Sequence, residues 1–218
     1  MTVSQESSLY IASSPGEFIT AVPLAKAYRL LNHGPTVLVS AAHNGARNVM
    51  AAAWNMALNF EPAQVTVVLD RATWTRQLIA ASGKFALSVP SLAIAAETLA
   101  VGRLSAHDLP AESRDKIAQF GLQTFIGKDV DLPLIEGCVA WLECDVVPEA
   151  STESRYDLFI GQVTAAWADA RVFADGHWRY EADTPDALRT LHYVAGGTFM
   201  TIGNSVQVAP AAPRSVQD

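Results

Sequence analysis

Two places in this sequence carry residues that could do chemistry: the polar trio Thr73, Thr75 and Arg76, and the run of very small residues from Met50 to Ala53. Thr75 precedes RQLIAASG, in which Leu78 and Ile79 give an apolar face and Gly83 a stop, so a short helix is expected there. Free N–H groups and the dipole at such a start favour a phosphate, and Arg76 would add a fork of donors. The alternative is a plain Thr75 N-cap beside a solvated Arg76. The small-residue run would let a flat ligand lie against the backbone, with Asn48 and Trp54 as its polar and aromatic ends. Ala51, Ala52 and Ala53 would equally be small if another element packed tightly on them.

Other chemistry is missing from the residues. No GxGxxG, GxxxxGK[ST], HExxH or GxSxG segment occurs. His33, His43, His107, His177 and His192 stand far apart, with no cysteine or carboxylate at ligand spacing, so no metal site is expected. Asp183 and Asp186 flank Pro185 and read as turn chemistry rather than a general acid and base. No side chain is assigned a catalytic role.

The elements that would position these residues follow from pattern. Leu24–Leu31 has helical spacing and stops at His33-Gly34-Pro35. The apolar run after Gly34 and the run reaching Trp54 flank Asn44-Gly45, the strongest short-range hairpin signal. Residues 64–70 alternate as a third strand, 85–89 form a short strand closed by Pro90, and Leu92–Val101 reads as an Ala-rich buried helix. The polar stretch 102–120 reads as an insertion with a small helix near its end. Leu134–Val147 and Tyr156–Trp167 are long strand candidates, and Asp175-Gly176 is a second hairpin. Strands first, short helices inserted, then strands again fit a mainly β, Greek-key barrel better than a doubly wound βαβ sheet.

Composition bounds the partners. A net charge of −7 with scattered basic residues argues against nucleic acid and anionic membrane. Half the residues are hydrophobic and 17% are charged, a surplus of apolar surface that suggests a subunit interface. No apolar run approaches the ~20 residues of a membrane span, and the N-terminus lacks a signal-peptide pattern, so a cytoplasmic protein is expected. Cys138 and Cys144, six apart on one expected strand, would face one side as reduced core thiols. The domain is expected over 24–205, between a polar leader (1–23) and a disordered Ala/Pro-rich tail (206–218).

Taken in order, RLLNHGPTVLVSA, GARNVMAAAWNMALNFEPAQVTVVLD, TWTRQLIAASGKFALSVPS, DKIAQFGL, LIEGCVAWLECDVV, DLFIGQV and HYVAGGTFMTIG resemble the flavin reductase-like family, the FMN-binding split β-barrels that include flavoredoxins. The resemblance runs from about Leu24 to Gly203. It implies a homodimer of split barrels, with one FMN per subunit near the interface. It implies that the flavin ring lies along Asn48, Val49, Met50, Ala51, Ala52, Ala53 and Trp54, with the backbone of that strand at its polar edge. The phosphate would sit near Thr73, Thr75 and Arg76, and Lys116 would approach the N1/O2 side of the ring. Ser88 stands where many relatives have asparagine, a polar group of different reach. His192 and Tyr193, ahead of Gly196-Gly197, would cover the flavin or close the barrel. The implied activity is hydride transfer from NADH or NADPH to flavin and on to free flavin, an oxygenase or a small redox protein. A flavoredoxin-type carrier without direct NAD(P)H oxidation and a non-catalytic relative are the competing readings.

Overall fold

The computed structural model of the chain describes residues 17–27, 30 and 34–210. Most of the expected leader, the helix stop at His33 and the end of the tail lie outside them. Five strands precede the first long helix: β1 (Ile19–Ala21), then after a one-turn α1 (Leu24–Ala27), β2 (Val37–His43), β3 (Ala46–Ala52), β4 (Asn55–Phe60) and β5 (Ala63–Val68). Next come α2 (Trp74–Ser82), β6 (Lys84–Pro90), α3 (Ala95–Arg103), α4 (Lys116–Gln119), β7 (Thr124–Ile126) and β8 (Pro133–Ile135). The second half holds β9 (Cys138–Val147), α5 (Ala150–Tyr156), β10 (Leu158–Asp169), and the hairpins β11–β12 (Phe173–Ala174, His177–Trp178) and β13–β14 (Leu191–Ala195, Thr198–Thr201).

Eight strands make one antiparallel sheet in the order β3-β2-β6-β9-β10-β5-β4, with β1 added on β10. The leader therefore ends inside the sheet, because Ile19–Ala21 pair with Trp167–Asp169. The terminal strands β3 and β4 are joined by Ala53 and Trp54 alone, so the sheet must bend back until its two edges are neighbours. Among the described residues no ladder pairs those edges. One face of the bent sheet encloses a core containing Val39, Val65, Phe85, Leu142 and Phe159, into which α2 sends Leu78 and Ile79. The other face packs Leu38, Val49 and Trp141 beneath Val101 of α3 and Ile117 of α4.

Both expected hairpins form, and for the expected reason: Asn44 and Gly45, like Asp175 and Gly176, all take positive φ. Several boundaries differ. The expected strand over 134–147 is two strands, broken at Glu136-Gly137 where Gly137 takes φ +80°. The strand expected to start at Tyr156 starts at Leu158, since Tyr156 ends a helix that Asp157 terminates in the left-handed region. The helix expected to be buried over 92–101 is a 3-10 turn followed by α3, in which only Thr98 and Val101 are buried. Cys138 and Cys144 are both buried and free, but they do not share a face. A register shift at Val89/Pro90, opposite Ala140/Cys138, turns Cys138 into the second core cluster while Cys144 stays in the first.

Candidate functional site

The site follows from the free edge of β3. Its pairing with β2 starts from His43↔Ala46, the hydrogen-bonded pair that closes a two-residue hairpin. Every second residue from there, Asn48, Met50 and Ala52, therefore spends its N–H and C=O on β2. Arg47, Val49 and Ala51 turn theirs outward, and among the described residues no strand takes them up. Helix α2 lies against one face of this strand and α3 with α4 against the other. The packing against α3 is close: a Cβ on Gly102 would stand 3.1 Å from that of Ala51. Small residues in β3 thus serve tight packing at Ala51 as well as access to the backbone.

A groove of about 550 Å³ runs along the Met50–Trp54 segment, walled by Thr98 and Arg103 of α3, Tyr156 of α5, and Tyr193 and Phe199 of the last hairpin. A second cavity of about 170 Å³ continues from it, sharing Met50, Gly102 and Arg103, and reaches Asn48, Thr75 and Lys116. Two residues that line these spaces each hold a buried polar atom without a hydrogen-bond partner: Asn48, through Oδ1, in the smaller and Thr98, through Oγ1, in the larger. An orphaned buried acceptor or hydroxyl costs about 1–3 kcal/mol, so each marks a place where a polar ligand atom would be welcome.

The start of α2 forms the floor of the smaller cavity. The N-cap is Thr73, not Thr75, and its hydroxyl donates to the Asp70 carbonyl at 2.8 Å instead of capping the helix. The first-turn N–H groups are left without a side-chain cap, as an anion site requires. Thr75, the second residue of α2, is buried, its hydroxyl accepting from Asn48 Nδ2 at 3.2 Å. Lys116 is 3% exposed, and its ammonium donates to the Val101 and Leu104 carbonyls at 2.7 and 3.0 Å, at the C-terminal end of α3. Burial lowers its pKa to about 8.

The structure brings together most, but not all, of the expected site residues. Asn48, Met50, Ala51, Ala52, Ala53, Trp54, Thr73, Thr75 and Lys116 line the two connected cavities. Val49 is buried beneath α3 and offers backbone only. Arg76, expected as a phosphate donor, pairs with Asp157 Oδ1 at 2.7 Å, donates to the Glu153 carbonyl at 3.0 Å, and lines neither cavity. It holds α5 to α2. Ser88 also lies away from the groove, buried in β6 between β2 and β9. Of the pair before Gly196-Gly197, Tyr193 and not His192 faces the groove, because neighbouring strand residues point to opposite faces. Lys116 lines the smaller cavity with Thr73, Thr75 and Met50.

Sequence reasoning missed Thr98, Gly102, Arg103, Tyr156 and Phe199. A glycine inside a helical pattern does signal a close approach, which Gly102 bears out. Nothing local marks the others.

The comparisons with known proteins agree with this geometry. A family model described as "Flavin reductase like domain" matches residues 29–192. The "uncharacterized protein YddH" of Escherichia coli K12 is 44% identical over 188 residues, which are 85% of this chain and 95% of that protein. A solved FMN-binding domain of a flavin reductases-like enzyme from Shewanella baltica OS155 is 49% identical with a TM-score of 0.82, covering 88% of this chain and 97% of its own. Flavoredoxin of Desulfovibrio vulgaris (Miyazaki F), 24% identical with a TM-score of 0.65 over 81% of this chain and 90% of its own, shares the fold. The match that spans β2 to His192, and with it the whole of the β3 edge, places this chain in the flavin reductase-like family.

Proposed function

We propose that the β3 groove holds FMN and that the protein is an oxidoreductase passing hydride from NADH or NADPH to flavin and on to a second acceptor. The observation that carries this reading is the pair of orphaned polar atoms, Asn48 Oδ1 and Thr98 Oγ1, in residues that line two adjoining cavities along a free strand edge. The outward N–H and C=O groups of Val49 and Ala51 suit a ring with alternating donors and acceptors. The uncapped start of α2, with Lys116 beside it, suits a phosphate. When bound, FMN supplies the hydride chemistry itself. The chain's residues then have three tasks: to hold the ring against β3, to neutralise the phosphate, and to keep water from the Met50 side of the groove.

A second copy of this chain is the proposed partner. Trp54, just before β4, and Met56, Leu58 and Phe60 within it are all exposed, at 75, 57, 45 and 66%. Such an apolar stripe on a terminal strand calls for a cover. Its first member also borders the groove, so a copy seated there would complete the mouth of the site.

The test is the absorbance spectrum of the purified protein with FMN, followed under nitrogen as NADH and then NADPH is added. Flavin uptake with bleaching of its bands is expected. Uptake without bleaching by either nucleotide would make the protein an electron carrier of the flavoredoxin type, and failure to take up FMN would reject the reading.

A further inference from the structure

The last hairpin, β13–β14, forms a two-stranded sheet of its own beside the main one. Its base is tied to the body: Thr36 donates through its N–H to the Leu191 carbonyl at 2.8 Å, Tyr193 N–H donates to the Thr36 hydroxyl at 2.9 Å, and Ile202 N–H donates to the Thr190 carbonyl at 3.1 Å. Beyond the base, the hairpin stands largely in solvent, with Val194 and Met200 exposed. An isolated two-stranded hairpin is marginal in water, so its position depends on what holds the far end.

The far end lies against α3. Arg103, in the last turn of α3, donates through Nη2 to the Gly196 carbonyl at 3.1 Å. Gly197 takes φ +96° and lies so close that a Cβ would come within 2.9 Å of the same Nη2 and 3.3 Å of Leu99 Cδ2. Between base and tip, Tyr193 and Phe199 pack edge to face with ring centroids 5.4 Å apart, and both wall the groove. Arg103 also borders both cavities.

We infer that Arg103 is a positioning residue: it latches the Gly196-Gly197 tip onto α3, and the latch sets how far Tyr193 and Phe199 stand over the groove. The inference rests on the flavin reading only for what the groove contains. Opening the latch moves both aromatic walls together, because they face each other across one hairpin, and leaves the Thr36 tether as the hinge. The latch therefore governs the escape of whatever lies along Met50–Trp54, with no contact to its reacting atoms.

The test follows amide hydrogen exchange over residues 191–201 in the FMN-free protein, together with the FMN dissociation rate, in the wild type, Arg103→Lys, Arg103→Ala and Gly197→Ala. Losing one charge-assisted hydrogen bond should raise hairpin exchange about tenfold in Arg103→Ala, with β9 exchange unchanged, and speed FMN release several-fold. Arg103→Lys, which still reaches a carbonyl, should recover part of both, and Gly197→Ala, strained and crowded, should resemble Arg103→Ala. Unchanged hairpin exchange in Arg103→Ala overturns the latch, and faster FMN release without it would make Arg103 a direct contact. If the wild type takes up no FMN, the flavin reading fails while hairpin exchange still decides the latch.

Discussion

Asn48 donates to the Thr75 hydroxyl at 3.2 Å, tying the free-edge strand to the first turn of α2, while its own carbonyl oxygen is buried with nothing to accept from. One amide is thus half spent on structure and half held open. Asn48→Leu keeps the branched shape, with bulkier ends, and removes both halves. The lost bond to Thr75 and the relieved desolvation of Oδ1 are each on the order of 1–2 kcal/mol and opposite in sign, so the melting temperature of the FMN-free protein should barely move. FMN affinity should fall at least about tenfold. Titration of flavin fluorescence beside a thermal melt separates the two; a large loss of stability with unchanged affinity would make Asn48 a purely structural residue.

Lys116 gives the site a pH signature. Burial lowers its pKa from 10.5 to about 8, so the folded protein releases this proton before the unfolded chain does. In the flavin-free protein the shift favours folding fully above 10.5, and this contribution is lost as pH falls through 8. Binding of an anionic group has the opposite preference, since it needs the ammonium. FMN affinity should therefore decline as pH rises through about 8, and Lys116→Met should bind more weakly at pH 7 and show no such decline. Affinities measured from pH 6.5 to 9.5 decide this, and an identical slope in both proteins would remove Lys116 from the site.

How much of this was legible in the sequence depends on distance along the chain. Asn44-Gly45 and Asp175-Gly176 announce their hairpins because the positive φ they need is a local property. The bare strand was legible because its alanines are contiguous. β4 was not, since Asn, Met, Ala and Leu are indifferent strand formers and its large apolar side chains point away from the core. Arg76 looked like a phosphate ligand because Asp157, the partner that engages it, lies 81 residues away. The second wall of the groove depends in the same way on the fold bringing α3 and the last hairpin to β3.

The stripe on β4 predicts the oligomeric state. Met56→Glu and Leu58→Glu place charges on side chains that are 57 and 45% exposed, so neither should disturb the monomer's core. Light scattering behind size exclusion should show a dimer for the wild type and a shift toward monomer for either variant, most completely for the pair. A wild type that runs as a monomer at all concentrations would leave the stripe without its proposed cover.

Glu143 predicts how stability depends on pH away from the groove. Its carboxylate, wholly buried in β9, accepts from the backbone N–H groups of Lys128 and Asp129 at 2.9 and 3.0 Å, and Gly127 leaves no room for a Cβ beside it. Burial raises its pKa from 4.5 to about 7. A raised folded pKa means the stabilising contribution is complete below 4.5 and lost as pH rises through 7, by up to ~3 kcal/mol. Glu143→Gln cannot titrate. The variant's stability relative to the wild type should therefore climb between pH 4.5 and 7 and level off above. Parallel urea curves across that window would mean the carboxylate is charged in both states.

Two neighbouring alanines separate the shelf from the core. Ala52 is 8% exposed and belongs to the first core cluster, whereas Ala53 is exposed and borders only the groove. Adding a leucine at position 52 forces bulk into packed space, which costs about 1–3 kcal/mol. It would weaken FMN binding and the fold together. Ala53→Leu places the same bulk on the shelf beside Trp54 without entering the core. It should leave the melting temperature of the FMN-free protein unchanged and reduce FMN affinity by at least an order of magnitude. If Ala53→Leu binds FMN as the wild type does, the ring does not lie at this end of the strand, and the smaller cavity around Asn48 and Lys116 becomes the place to look for it.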